Sequence, residues 1–293
     1  MLNNIQKNNE ININQIFHFI MFNYKYELNI EQWNIEYLHE LLKQLTKTNK
    51  WFFDIWFGKD IENNQLMNDC LESRKKYCKD FYIFYLNESN LNLDICPYVR
   101  FMYDHKLYGL CADFFKFLFL YYFGGIYADR DVEFGEDITT YFENNDYMLF
   151  DASFHNIESW FTNDNMFCSS FMMSKSFNQI FKYFIDYCNS FTYEQLEIVY
   201  NKISKYWFLH YFYDVKIIYH QIIKKYKYKI NILNNITDIS KFNDNNIINV
   251  YDNVLLECVK YNNRHNIKML NNKKLILCHY NLQTHENIFL NNK

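Results

Sequence analysis

Five glycines and one proline in 293 residues leave this chain few places to turn sharply, and three of the glycines, Gly124, Gly125 and Gly135, fall within a dozen residues. The first two lie within a run from Ala112 to Val132 that reads ADFFKFLFLYYFGGIYADRDV. Upstream, Leu110, Phe114, Phe117, Leu118 and Tyr121 recur at helical spacing, which predicts a helix over 108–123 stopped by Gly124 and Gly125 as C-cap residues. Downstream, 126–134 reads as a strand. Glycine tolerates a left-handed backbone and a close approach of neighbouring chain, so the helix can reverse directly into a strand whose end opens on a cleft.

Composition sets the background for that signal. Hydrophobic residues make up 49% and charged residues 22%, ordinary values for a globular chain, while 27 Tyr and 29 Phe are unusually many. Frequent Asn, Lys, Ile, Tyr and Phe are what an AT-rich genome favours, so single Asn or Tyr residues carry little weight. The net charge of -4 and the absence of a Lys/Arg stripe among aromatics argue against nucleic acid as a partner. The eight cysteines form no C-x-x-C pair, and without a secretory signal they read as reduced, mostly buried thiols. The longest apolar stretch, 117–123, is far shorter than the ~20 residues that span a bilayer. A soluble, cytoplasmic protein is therefore expected, with peripheral membrane contact left open by the basic stretch 216–229, for which a solvated edge is the more usual explanation.

No linker or repeat divides the chain. The expected organisation is a polar leader over 1–12 and one domain over 13–293 in two functional halves, 13–135 and 136–293. Strands are expected at 13–22, 51–57, 81–86, 126–134, 225–230, 247–251 and 275–279, and helices at 30–49, 63–79, 108–123, 177–188 and 193–214. Pro97 reads as a loop residue, and 151–176 as a loop beside an acceptor or sugar pocket, with Asn165 its best polar candidate. Strands alternating with helices predict α/β architecture with a mostly parallel sheet.

Asp129 and Asp131 are two apart, and on an extended segment such residues point to the same side. Paired carboxylates at a strand end make a hard oxygen site for a divalent cation, Mn2+ or Mg2+, carrying a diphosphate. The chemistry that fits is transfer of a group from a nucleotide diphosphate, the cation neutralising the charge of the departing nucleoside diphosphate. Asp113 and Lys116, three apart on the helix, can hold a shared ligand such as sugar hydroxyls or form an ordinary surface ion pair, and spacing alone favours the surface pair.

These residues resemble a known family. The run D-x-x-K-x(7)-G-G-I-Y-x-D-x-D-V is similar to the sugar-binding region of DXD-containing glycosyltransferase family 32, which includes Golgi mannosyltransferases and capsule enzymes, and to the glucosyltransferase domains of clostridial toxins. Residues 13–22 resemble the family's opening strand, and 51–57 its second strand, with Trp56 at a tryptophan position. The resemblance implies a GT-A type fold and a metal-dependent retaining enzyme moving a sugar from a UDP- or GDP-linked donor to a glycan, lipid or protein hydroxyl. It implies that Asp113 binds the donor sugar or ribose, that Lys116 stands for the family's arginine, and that Gly125 and Tyr127 belong to the donor site. It implies that Asp129 touches ribose and metal and that Asp131 is a direct metal ligand. The family commonly closes over the metal with a C-terminal His and Trp; here His279 is the candidate, and a His in a polar tail is the bland reading. Met21, Lys116 and the missing tryptophan depart from the pattern, which leaves a catalytically lapsed glycan- or nucleotide-sugar-binding protein as the alternative. A haloacid-dehalogenase-like phosphohydrolase is disfavoured, because Glu133 follows Val132 and Gly-Gly breaks the strand that family requires.

Overall fold

The computed structural model describes residues 35–58, 65–135, 137–139, 147–151, 167–212, 229–233, 247–251, 256–258 and 277–279. Helix α1 (Ile35–Thr46) leads into strand β1 (Trp51–Ile55), helix α2 (Gln65–Tyr77) and strand β2 (Tyr82–Leu86). Helices α3 (Pro97–Asp104) and α4 (Tyr108–Phe123) follow, then β3 (Gly125–Ala128), β4 (Val132–Phe134), β5 (Tyr147–Asp151) and β6 (Phe167–Ser174). Helices α5 (Gln179–Asn189), α6 (Tyr193–Lys202) and α7 (Lys205–Phe212) precede strands β7 (Lys229–Leu233), β8 (Ile247–Tyr251), β9 (Leu256–Cys258) and β10 (Leu277–His279).

Seven strands form one sheet in the order β2-β1-β3-β6-β5-β8-β7. The pairs β1/β2, β1/β3, β5/β8 and β7/β8 are parallel, whereas β6 runs antiparallel to both β3 and β5. The class read from the sequence, α/β with a mostly parallel sheet flanked by helices, is the observed one. A smaller sheet, β4-β10-β9, sets β10 antiparallel to β4 with His279 opposite Val132.

Alternation along β1 assigns its side chains to two layers. Phe53 stacks on Phe119 of α4, their ring centroids 5.2 Å apart, and approaches Phe123. Phe52 faces the other way, toward Phe134 of β4, with the guanidinium of Arg74 5.4 Å above its ring. All five residues of β1 are buried, Asp54 included. Helix α4 is apolar nearly all round because it is covered on all sides: by β1 and β3, by α3, and by α5 through Phe117 against Phe181 and Phe184.

Four sequence expectations need correction. Pro97 opens helix α3 at its first turn, where a missing N–H costs nothing and the fixed φ suits a helix. The predicted strand 126–134 is two strands in different sheets, broken by a turn at 129–131. Most of the second half of the predicted loop 151–176 is β6, a central strand that holds Ser169 and Ser170 buried. The helix over 193–214 is two helices, interrupted at Ile203 and Ser204. The expected strand at 13–22, residues 152–166 and the basic stretch before 229 lie outside the described residues.

Gly124 caps α4 at φ 66°, its N–H donating to the Leu120 carbonyl, and Gly125 starts β3 at φ 106°. A Cβ on Gly125 would stand 2.5 Å from the Trp51 carbonyl oxygen, so β3 can lie this close to β1 only through a residue without a side chain. Gly125→Ala is expected to destabilise the fold by about 2 kcal/mol or more, from left-handed strain and the backbone clash, read as a fall of several degrees in the unfolding midpoint. The buried thiols give a second expectation. Burial pushes Cys78 and Cys96 up to about 12 and Cys111 well above its usual range. These three should resist iodoacetamide at pH 8 in the native chain and react on unfolding, as peptide mass mapping would show.

Candidate functional site

Strands β1 and β3 lie side by side and parallel, so their carboxyl ends open on the same edge of the sheet, the usual place for ligands in α/β folds. Asp129, Arg130 and Asp131 form the turn that leaves this edge. The N–H of Val132 donates to the Asp129 carbonyl at 3.0 Å, closing the turn, and the N–H of Asp129 donates to the Ser170 carbonyl of β6 at 2.7 Å. Asp129 and Asp131 therefore belong to a tight turn and not to an extended segment, so strand alternation does not set their carboxylates on one side. Asp129 is half-buried and Asp131 is 8% exposed.

Two polar clusters back this turn, one on each side of the sheet. On the α4 side, Lys116 Nζ lies 2.6 Å from Asp113 Oδ1 and 5.2 Å from the centre of the Tyr127 ring. Lys116 is 1% exposed. The surface-pair reading is thus overturned: α4 is enclosed on the face that carries this pair, and a buried ammonium needs its carboxylate. The Tyr127 hydroxyl donates to Asp129 Oδ1 at 2.6 Å. Burial, and next the Asp129 charge, hold the Tyr127 phenol well above its usual range, so it stays a neutral donor.

On the α2 side sits a cluster the sequence reading missed. Arg74 donates through Nη2 to the Asp129 carbonyl, and its Nη1 lies 3.4 Å from Asp54 Oδ2, both side chains 1% exposed. Arg130 donates through Nε to Asp54 Oδ1 at 2.9 Å. Ser73, next to Arg74, accepts from the N–H of Phe134 at 2.9 Å and ties α2 to β4 just beyond the turn. A signal was present: one Asp within WFFDIWF is a charge inside an otherwise apolar strand, and such a charge requires a partner.

Asp113, Lys116, Tyr127, Asp129 and Asp131 thus gather at one sheet edge. Gly125 lies at the opposite end of β3, where its contact is the Trp51 backbone. Asn165 lies outside the described residues. His279 is placed by its backbone, across from Val132 in the antiparallel pair and so next in register to Asp131. Among the described residues no group of three or more His, Cys, Asp and Glu stands together as a metal site. The all-oxygen pair Asp129 and Asp131 nevertheless fits a hard divalent cation that takes its other ligands from phosphate and water. Among the described residues no helix is long and apolar enough to cross a membrane.

The family described as glycosyltransferase sugar-binding region containing DXD motif matches residues 64–149. Among solved structures, the chain is similar to PaToxG glycosyltransferase, 12% identical over 71% of this chain and 80% of that one, with a TM-score of 0.40. It is also similar to a glycosyltransferase involved in the glycosylation of the major capsid of PBCV-1, 14% identical over 81% of this chain and 96% of that one, with a TM-score of 0.39. No curated protein matches the sequence. The matched residues, 64–149, hold the Asp-Arg-Asp turn, Tyr127 and the buried Asp113–Lys116 pair, and over them the chain is similar to the sugar-binding region of the DXD-containing glycosyltransferases.

Proposed function

We propose that the protein is a metal-dependent, retaining glycosyltransferase that moves a sugar from a nucleoside diphosphate donor to an acceptor hydroxyl. The observation that carries the reading is the Asp129–Asp131 turn, fixed by backbone hydrogen bonds at the carboxyl edge of β3 beside a buried Asp-Lys pair. The family match over the same residues supports it.

Asp129 and Asp131 would hold Mn2+ or Mg2+, with His279 the candidate for a further contact. A cation there supplies neutralisation of the charge that develops on the leaving diphosphate. Tyr127, neutral and bonded to Asp129, fixes one of its carboxylate oxygens in place. Asp113 and Lys116 together carry no net charge, and Asp113, the more exposed of the two, would be the one to meet the donor's sugar hydroxyls. Transfer proceeds on one face of the sugar: the acceptor oxygen bonds to the anomeric carbon, the bond to the diphosphate breaks, and a phosphate oxygen takes the acceptor proton. No side chain in the cluster has to serve as a strong base, so catalysis rests on positioning and electrostatics.

Thermal unfolding with UDP-, GDP- and CMP-sugars, each with and without manganese, tests the donor site. One nucleotide sugar should raise the midpoint only when manganese is present, by several degrees at about a hundredfold over Kd, where binding adds ~2.7 kcal/mol. Asp131→Ala should lose both that shift and sugar transfer; full transfer by this variant would refute the site assignment, and glycan binding that persists without transfer would favour the lapsed enzyme. Tyr127→Phe should lower the transfer rate by roughly fivefold, the worth of one hydrogen bond of about 1 kcal/mol. Because the phenol is held neutral beyond its usual range, the pH–rate profiles of wild type and Tyr127→Phe should share the same shape up to pH 10.

A further inference from the structure

We propose that Arg130, the middle residue of the Asp-Arg-Asp turn, binds the donor diphosphate as a protein-supplied cation; this rests on the donor-site reading above. Asp54 is 1% exposed and meets two guanidinium groups, Arg74 at 3.4 Å and Arg130 at 2.9 Å. The trio of Asp54, Arg74 and Arg130 carries one positive charge in excess, and Arg130, 27% exposed, is its one member with substantial access to solvent. A bond to Asp54 Oδ1 asks only for an N–H. With the charges of Asp129 and Asp131 balanced by the divalent cation they would hold, that surplus acts at the sheet edge.

Preorganisation is the second step. The Nε bond to Asp54 holds one edge of the guanidinium, and its carbon lies 5.5 Å above the ring of Trp56. That indole is itself fixed, its N–H donating to the Gly58 carbonyl at 2.8 Å. A guanidinium has five N–H groups, and the four on its Nη atoms make a fork that matches two phosphate oxygens. Held in place before the ligand arrives, it loses little conformational freedom on binding. Trp56 follows β1 and Arg130 follows β3, so both belong to the carboxyl edge of adjacent parallel strands, where the Asp-Arg-Asp turn also lies.

The test compares wild type, Arg130→Gln and Arg130→Lys by calorimetric titration with UDP, GDP and inorganic pyrophosphate in the presence of manganese, with unliganded thermal unfolding measured alongside. Arg130→Gln should bind the preferred nucleoside diphosphate and pyrophosphate about tenfold or more weakly, by a similar factor for both, as expected on losing a charge-assisted bond. Arg130→Lys, which keeps the charge without the fork, should fall between the two. Unchanged affinity in Arg130→Gln overturns the proposal, and so does a loss confined to the nucleoside diphosphate with pyrophosphate unaffected. Failure of the wild type to bind any nucleoside diphosphate with manganese overturns the donor-site reading itself, a result seen before any variant is compared.

Discussion

Taking a carboxylate and a guanidinium out of water costs several kcal/mol for each ion, and their mutual attraction offsets this only where the geometry is good. Between Asp54 and Arg74 the geometry is middling: they stand 3.4 Å apart, and Asp54 Oδ2 and Arg74 Nε are both buried without a hydrogen bond. As a device for stability, an apolar pair of similar volume would do as well or better. What the charges provide is placement. Arg74 reaches the Asp129 carbonyl and Asp54 reaches Arg130, so one buried carboxylate fixes both the backbone and the central side chain of the turn. With Asp129 N–H held by β6 and its carboxylate held by Tyr127, the residue is fixed through its amide, its carbonyl and its side chain.

This arrangement depends on how closely β3 lies to β1. Gly125 admits the Trp51 carbonyl where any side chain would clash, and the approach it allows sets the carboxyl ends of the two strands level. Asp54 and Asp129, 75 positions apart in the chain, then fall within reach of the same arginine. The Gly124-Gly125 pair that stands out in the sequence therefore acts at the far end of the strand from the chemistry, by fixing where the strand lies.

The parts legible in the sequence are those set by local pattern. The apolar run before Gly124 gave α4 its residues 108–123, and WFFDIWF gave β1, because burial on every side leaves a continuous hydrophobic signature. The Asp-Arg-Asp turn was read as strand because Val132–Phe134 carries strand-like residues on its far side, and nothing local reveals that they join a different sheet through β10, more than 140 positions later. Arg74 was invisible for a related reason. It opens the basic run Arg74-Lys75-Lys76 on a polar helix, where Lys75 is exposed and salt-bridged to Glu72, and only the packing of α2 against β4 buries the first of the three. The sharpest local clue was Asp54 in its apolar strand, a charge whose partner had to be found elsewhere in the chain.

The two clusters behind the turn differ in a way that matches the two halves of a nucleotide sugar. Asp113 and Lys116 cancel each other, and a buried, neutral pair has no preference for an anion. Replacing the pair's lysine with arginine would add a rigid fork to a place where a compact ammonium now sits between Asp113 and the Phe117 and Tyr127 rings. On the opposite side, Asp54 and two arginines do not cancel, and the excess resides on a fork already aligned over Trp56. If the donor lies across the turn with its diphosphate toward Arg130 and its sugar toward Asp113 and Lys116, the charge on each side suits the group it meets. Reversing the donor would set a diphosphate against a neutral pair and leave the Arg130 charge facing neutral hydroxyls, so on the proposed reading the charge pattern favours the first orientation.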